Sequence, residues 1–462
     1  MKALLVDLIG SIRENRIFLL ILLLTFASYG LLVVLYANKR QKIALILEKA
    51  FLIFFLCCLT GCRLTPFLHW HPTYLIQPPL NFILAYFQLV IYAFMLVTLF
   101  TRVKFFANRK LLKLLQLSII SNPFFWGLLV MAMMSISWSS SPLITLKAVM
   151  VLACINILAI YLVGQYEGQE LFDIPMWSMA VMGLMSFVIR RKSNVGGSHG
   201  GGLAGVLPSK NQLGILMAVA TVLWYLRANH QSKQRWLSWG IAAISFMLIP
   251  QTKSSGALVL LMTLFALVVS TNFLKKLKFQ YAVIGITSLL FITMLISILI
   301  VTNLEQIVGA LGRDLTLTGR TEIWADYWAA AQQRLWLGYA PYGFWQHWLG
   351  VNNPAEKWNT RWWMPPHAHN GFLDVTLDLG LIGLGILLLS FLVTLIQAIQ
   401  YLFNGKGGES SIPLILLMYA FQVNLSETQF LRPYLLWFLY VLVTVKLSVT
   451  FVSSNKSKNH LS

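Results

Sequence analysis

The sequence predicts an all-α polytopic membrane protein, on the basis of three observations. Of the 462 residues, 58% are hydrophobic and only 11% are charged, whereas soluble domains average about 25% charged residues. The mean hydropathy is +0.72. Apolar runs, most of them close to the roughly 20 residues that a membrane helix needs, recur along the chain. A water-soluble enzyme of this length is therefore excluded.

The apolar runs predict about 12–13 transmembrane helices, with 13 as the best count. They lie at 17–37, 43–62, 80–101, 122–139, 143–164, 172–189, 208–226, 236–250, 254–273, 280–302, 370–403, 411–424 and 433–452. The stretch 370–403 exceeds one bilayer thickness, so part of it has to tilt or project.

The formal net charge of +20 predicts the orientation of the chain. About half of the Lys and Arg residues fall in alternate loops, which the positive-inside rule assigns to the cytoplasm. These loops are 38–42, 102–113, 227–235, 275–278, 406 and 456–458. The N-terminus is then outside, unless residues 1–16 form an interfacial helix that returns it to the cytoplasm. The charge therefore marks topology and not nucleic-acid binding.

The predicted organisation is an N-terminal bundle (1–302), a large outer loop (303–369) and C-terminal helices (370–462). The loop contains eight of the 16 tryptophans, namely Trp324, Trp328, Trp336, Trp345, Trp348, Trp358, Trp362 and Trp363. An interfacial aromatic belt would spread over all spans. Crowding in one loop instead favours a sugar-stacking surface, because an indole offers an apolar face and an N–H donor.

Part of the loop is predicted to be helical, because Trp324, Trp328, Ala331 and Leu335 repeat at helical spacing. Thr318 or Thr321 can serve as the N-cap. Arg320 then lies at a helix N-terminus, where free amides and the helix dipole favour an anion. Arginine also suits bidentate phosphate binding. The alternative is an arginine at the surface or among lipid headgroups.

Two prolines end regular structure just before His367-Ala368-His369-Asn370 and deliver His369 to the outer mouth of the next span. A neutral imidazole there can act as a general base. The alternative is a capping or interfacial histidine. A metal site needs more ligands than His367 and His369, and no cysteine or carboxylate cluster adjoins them in sequence, so no metal is expected.

A second outer candidate follows the glycine-rich stretch 196–205. Lys210 and Asn211 bring a cation and an amide to the start of a membrane helix, and Lys253 is a similar candidate. Such lysines commonly snorkel to the interface, but ionisable groups in membrane segments are also candidates for function. A chance GxGxxG match in the glycine stretch is rejected, because no βαβ unit surrounds it.

These segments, in this order, resemble the O-antigen ligase and polymerase superfamily of bacterial membrane glycosyltransferases, which includes exopolysaccharide polymerases. His369-Asn370, followed by nine residues, Gly380, two residues and Gly383, is similar to the ligase signature. The Thr318–Trp324 segment resembles the family's Gly-Arg segment, and Pro208–Gly214 resembles the opening of an earlier span. Weaker matches are Ser137–Ser139 and Leu425–Glu427. The resemblance covers roughly residues 120–440.

The resemblance implies a GT-C-like fold and an inverting, metal-independent reaction without a cofactor. A glycan would move from undecaprenyl pyrophosphate to an acceptor hydroxyl at the periplasmic face of the bacterial inner membrane. Carried over by position, His369 would be the base, and Arg320 and Lys210 would hold the pyrophosphate. Further candidates are Asn370, His367, Asn211, Lys253 and Trp324.

The implied partners are the lipid-linked oligosaccharide donor, the bilayer, polysaccharide assembly proteins and an acceptor, which is a glycan, lipid A-core or another molecule. Polymerase and ligase remain open, because they differ only in the acceptor. A polysaccharide flippase and a non-catalytic assembly component are the alternatives. Asp374 and Asp378 would point about 140° and 180° away from His369 on a common helix, so neither is expected to be its partner.

Overall fold

The computed structural model describes residues 41–62, 88, 91–92, 95, 110–189, 201–230, 234–302, 319–346, 352–358, 367–405 and 408–459. Within these ranges every regular element is a helix. The predicted all-α class is confirmed.

The described residues form thirteen α-helices. They are α1 (Gln41–Cys58), α2 (Lys110–Ser121), α3 (Pro123–Met134), α4 (Pro142–Gln165), α5 (Gly168–Ile189), α6 (Lys210–His230), α7 (Arg235–Thr252), α8 (Ser255–Leu274), α9 (Phe279–Thr302), α10 (Gly319–Gln333), α11 (Gly371–Asn404), α12 (Ile412–Asn424) and α13 (Leu435–Asn459). Each predicted span from 122–139 onward overlaps one of them. The span 43–62 matches α1, whereas 17–37 and most of 80–101 lie outside the described residues.

Several of these helices can cross a membrane. By length and apolar composition, α4, α5 and α11 qualify, and the pair formed by α2 and α3 adds a fourth if it counts as one broken span. Shorter apolar segments lie in α8 and α13. Together with the composition of the chain, they make this a polytopic membrane protein.

Helix α2 begins inside the stretch 102–113, which the sequence predicts as a cytoplasmic loop, and ends just before the predicted span 122–139. It meets α3 at a bend of 102°. Asn122 makes the bend, since its Oδ1 accepts the Phe125 amide at 3.1 Å. The same side chain donates through Nδ2 to the Ser390 carbonyl at 3.1 Å and to Thr394 Oγ1 at 3.0 Å. One buried amide therefore caps α3 and attaches the bend to α11.

Loops that the sequence predicts on the outer side contact one another at one end of the bundle, called here the site end. Ser140, before α4, donates to the Gly343 carbonyl of the large loop at 3.0 Å. Near the other end of α6, Arg227 pairs with Asp173 of α5 at 3.0 Å. The site end is therefore built from loops and the opposite end carries ion pairs between helices.

Helix α11 is interrupted at Gly380, where φ is 66° and ψ is −170°. This backbone region is essentially restricted to glycine. A Cβ atom here would lie 2.1 Å from the carbonyl carbon and oxygen of Trp336. The break divides the overlong stretch, and residues 381–404 remain long enough to cross the bilayer. Residues 335–340, which occupy the gap, are called the docking segment.

The docking segment and α11 exchange backbone hydrogen bonds in both directions. The amides of Tyr339 and Ala340 donate to the carbonyls of Leu377 and Asp378, each at 2.7 Å. The amide of Leu381 donates back to the docking segment at 2.7 Å. Groups freed by the helix break are thereby satisfied, as they must be in a membrane protein. The large loop is therefore joined to α11 through backbone groups.

Gly380→Ala should destabilise the protein by at least about 1–3 kcal/mol, because it imposes backbone strain and a clash with the docking segment. Thermal unfolding in lipid nanodiscs measures the change. The matched control is Gly385→Ala, because a Cβ at Gly385 meets nothing within 4 Å. Equal melting temperatures for the two variants would contradict the requirement for glycine.

Candidate functional site at the loop-built end

A rigid corner precedes α11 at His367-Ala368-His369. Ala368 is fully buried; its carbonyl accepts the Trp324 indole N–H at 2.8 Å, and its amide donates to Asp374 at 2.9 Å. His369 has a left-handed φ of 53°, which is uncommon for a residue with a Cβ. The two bonds at Ala368 hold this strained corner and both histidines in place.

Asn370 caps α11. Its Oδ1 accepts the amides of Phe372 at 3.0 Å and Leu373 at 3.1 Å, which is the bonding expected of an asparagine N-cap. The side chain therefore starts the helix directly after His369. Its contribution to a site is to fix where that histidine stands.

Glu427 connects His369 to the start of α6. Its Oε2 lies 3.5 Å from Nδ1 of His369, and its Oε1 accepts Nδ2 of Asn211 at 3.4 Å. The contacts join three segments that are far apart in sequence. The Glu427 carboxylate thus connects Asn211 to His369. The sequence alone does not identify Glu427 as a site residue.

Lys210 and Lys253 lie beside the same pair of glycines. The segment at Gly201 and Gly202 rests on the end of α7, where the Leu203 amide donates to the Gln251 carbonyl at 2.9 Å. A Cβ on Gly202 would lie 2.8 Å from Cδ of Lys210, and one on Gly201 would lie 3.9 Å from Nζ of Lys253. Gly201 and Gly202 therefore leave room for two cationic side chains.

Arg320 lies in the first turn of α10, which begins at Gly319. The predicted helix is present, and Thr321 lies within its first turn, so it is not the N-cap. Thr318 and the side chain of Arg320 lie outside the described residues. Helix α10 reaches the corner at Ala368 through the Trp324 hydrogen bond.

The tryptophans of the large loop do not form one surface. Trp345 is only 2% exposed and packs with Phe344 and Tyr327 in a small second core. Its indole N–H donates to Asp374 at 2.7 Å. The prediction that the loop tryptophans stack on sugars is therefore wrong for Trp345, whose ring is buried. Trp336 is 64% exposed and Trp328 is also exposed; Trp348, Trp362 and Trp363 lie outside the described residues.

Buried charges hold the loop between α12 and α13 next to the corner at His369. Arg432 pairs with Asp378, lies 3.6 Å from Asp374 and stacks on Tyr342 at 4.7 Å. Burial disfavours the charged guanidinium, but the two carboxylates outweigh burial and raise the pKa of Arg432. The two aspartates therefore pair with an arginine and not with His369.

A narrow cleft opens beside Glu427. Its walls are mostly apolar side chains from α6, α12 and α13, and Gln212 adds a polar group near Glu427. Glu427 and Gln212 therefore border a cleft whose other walls are mostly apolar.

The structure corrects the argument against metal ligands. His367, His369 and Glu427 each place a ligand atom within 4.8 Å of the others. The carboxylate missing from the neighbouring sequence comes instead from the loop between α12 and α13. Glu427 and Arg432 are the charged residues of segment 425–434, a signal that the sequence contains but does not connect to the histidines.

The helices and the loop-built cluster define an integral-membrane protein with a polar site at one end of its bundle. Residues 240–388 match the family model of the O-antigen ligase domain. This range contains Lys253, Arg320 and His369. The resemblance to the O-antigen ligase and polymerase superfamily is confirmed.

A similar curated protein is the exopolysaccharide production protein ExoQ of Rhizobium meliloti (strain 1021). The two sequences are 31% identical over 138 residues, which is 29% of this chain. The alignment covers 31% of the length of that relative.

Arg432→Ala should destabilise the protein by about 3–5 kcal/mol, because it leaves buried carboxylates without their cation. Chemical or thermal unfolding in nanodiscs measures the loss. The matched control is Arg334→Ala, which removes an exposed arginine of the large loop and should cost no more than about 1 kcal/mol. A similar small loss in both variants would show that Arg432 does not hold the loop.

Proposed function

We propose that the protein is a glycosyltransferase that moves a glycan from undecaprenyl pyrophosphate to an acceptor hydroxyl at the periplasmic face of the bacterial inner membrane. The observation that carries this proposal is the contact chain from Asn211 through Glu427 to His369. It combines a base with an orienting carboxylate at the site end of a membrane protein. The match to the O-antigen ligase domain supports the same chemistry.

In the proposed reaction, the acceptor oxygen attacks the anomeric carbon of the donor glycan. Its proton passes to Nε2 of His369. The bond between the anomeric carbon and the pyrophosphate oxygen breaks, and lipid pyrophosphate leaves with the electron pair. Attack from the opposite face inverts the anomeric configuration. The imidazole takes the proton, so the step needs neither a metal nor a nucleotide sugar.

Glu427 is proposed as a positioning residue. A proton on Nδ1 of His369 faces its Oε2 across 3.5 Å, which leaves Nε2 free to accept a proton. Asn211 holds the other carboxylate oxygen. A base oriented by a third group is a recurring arrangement, and such contacts commonly shorten when substrate binds.

The leaving pyrophosphate needs cations, and Arg320, Lys210 and Lys253 are proposed to supply them. Arg320 stands in the first turn of α10, where the helix dipole also favours an anion. The two lysines lie beside the glycines at 201–202, where backbone can approach a phosphate closely. The polyprenyl tail is proposed to lie in an apolar groove between membrane helices.

A growing polysaccharide is the proposed acceptor, which makes the protein a polymerase. The similarity to a protein named for exopolysaccharide production favours this choice. Transfer to lipid A-core or another molecule is the second candidate, favoured by the His-Asn signature at His369-Asn370.

Purified protein in nanodiscs, supplied with lipid-linked repeat units, should build a ladder of longer glycans on the lipid carrier. His369→Ala should reduce the rate about 10²–10⁴-fold, the contribution typical of a general base. Glu427→Gln should lower kcat with little change in the donor KM, because it acts on the base. Product ladders are resolved by gel electrophoresis.

The matched control for the base is His230→Ala, which removes an exposed histidine at the far end of α6 and should keep full activity. Transfer of a single glycan to lipid A-core would indicate the ligase. Full activity of His369→Ala would remove the base, and movement of the lipid-linked glycan across the membrane without new bonds would indicate a flippase.

Arg320→Ala should raise the donor KM about 10–100-fold, as expected for loss of a hydrogen bond from a charged group. Arg320→Lys should restore binding only in part, because the bidentate fork is lost. Steady-state kinetics with varied donor measure both effects. Lys357→Ala, an exposed cation of the same loop, is the control; an unchanged donor KM in Arg320→Ala would sink the assignment.

A further inference from the structure

We propose that His367, His369 and Glu427 form a reversible site for a transition-metal ion of the Zn²⁺ class, and that its occupancy inhibits glycan transfer. The three ligand atoms lie within 4.8 Å of one another. Two imidazoles and one carboxylate are a ligand set found in zinc sites that keep one position open. The inhibitory part rests on the proposed function.

The contact between His369 and Glu427 has the geometry of two ligands that share an ion. Nδ1 of His369 is buried, lies 3.5 Å from Oε2 and forms no hydrogen bond within the described residues. Ligand atoms bound to one tetrahedral zinc at about 2.0–2.1 Å lie about 3.4 Å apart. A zinc ion bridging this pair would therefore need little movement of the two side chains.

The ligands are held in advance by neighbouring groups. Trp324 and Asp374 fix the backbone between the two histidines at Ala368. Asn211 bonds the carboxylate oxygen that faces away from His369. Such outer contacts orient metal ligands and strengthen binding. The corner is therefore built more rigidly than a chance cluster of surface side chains.

The site is open enough for an ion to enter and leave. The side chain of His369 is 25% exposed and that of Glu427 is 10% exposed. Imidazole donors favour Zn²⁺, Cu²⁺ or Ni²⁺ over Mg²⁺, which prefers oxygen ligands. The ion class is thus set by the two histidines.

Metal binding and base catalysis exclude each other at His369. A neutral imidazole has one nitrogen lone pair available and one N–H. When Nδ1 binds the ion, Nε2 carries the proton and cannot accept another from the acceptor hydroxyl. The same residue therefore serves transfer only while the ion is absent.

The test uses the full-length protein in nanodiscs, after removal of any polyhistidine tag. Co²⁺ binding is measured by visible absorption, and Zn²⁺ binding by calorimetry. We expect one ion per chain and at least about tenfold weaker binding in His367→Ala and Glu427→Gln, since each loses a ligand. His367→Gln keeps an acceptor for the His369 amide and should also bind weakly, which separates metal loss from misfolding.

The control His230→Ala should bind as the unmodified protein does. Equal affinity of the unmodified protein and both His367 variants would overturn the site. Zn²⁺ should also slow transfer reversibly, with recovery on chelation. In His367→Ala, inhibition relative to its own metal-free rate should need at least tenfold more Zn²⁺. If Zn²⁺ binds but does not slow glycan transfer, the proposed inhibition is wrong. If Zn²⁺ binds and the protein shows no transfer activity at all, only the proposed function is refuted.

Discussion

The backbone exchange between the docking segment and α11 is the interaction on which the rest of the site end depends. A membrane helix that breaks has to satisfy its freed amides and carbonyls within the protein. Residues 335–340 do so at Gly380, where no side chain fits. Because the large loop is fixed there, Trp345 reaches Asp374, and Asp374 in turn holds Ala368. The hydrogen bonds that the broken helix needs in a bilayer therefore also hold the corner at His367 and His369 in place.

The candidate site is assembled from segments that are distant in the chain but share one end of the bundle. Glu427 stands between Asn211 and His369, and Asp374 accepts hydrogen bonds from the large loop and from Thr428. The two carboxylates differ in their surroundings, since one faces His369 and the other is buried with Arg432. An acidic group therefore lies near His369, apart from the buried ion pair of Arg432.

Much of this could be predicted, because helices in a membrane are encoded locally. Apolar runs predicted α4 and α11, and spacing predicted α10 with Arg320 in its first turn. The Gly380 signature was visible too, although its cause, the approach of Trp336, was not. The structural role of Trp345 could not be predicted from composition, because it depends on whether other segments of the chain cover the ring. Glu427 lies in Leu425–Glu427, one of the weaker family matches, but no local pattern connects it to His369.

The sequence by itself determined that the protein is helical and membrane-embedded, since hydropathy and residue spacing act over a few turns of one helix. It also predicted that cations such as Lys210 and Arg320 stand on one side of the membrane. Only the tertiary structure decided that Glu427 faces His369 and that His367 completes a ligand set with them. The reason is physical: which side chains meet across loops depends on how helix ends are packed, and that packing involves contacts hundreds of residues apart.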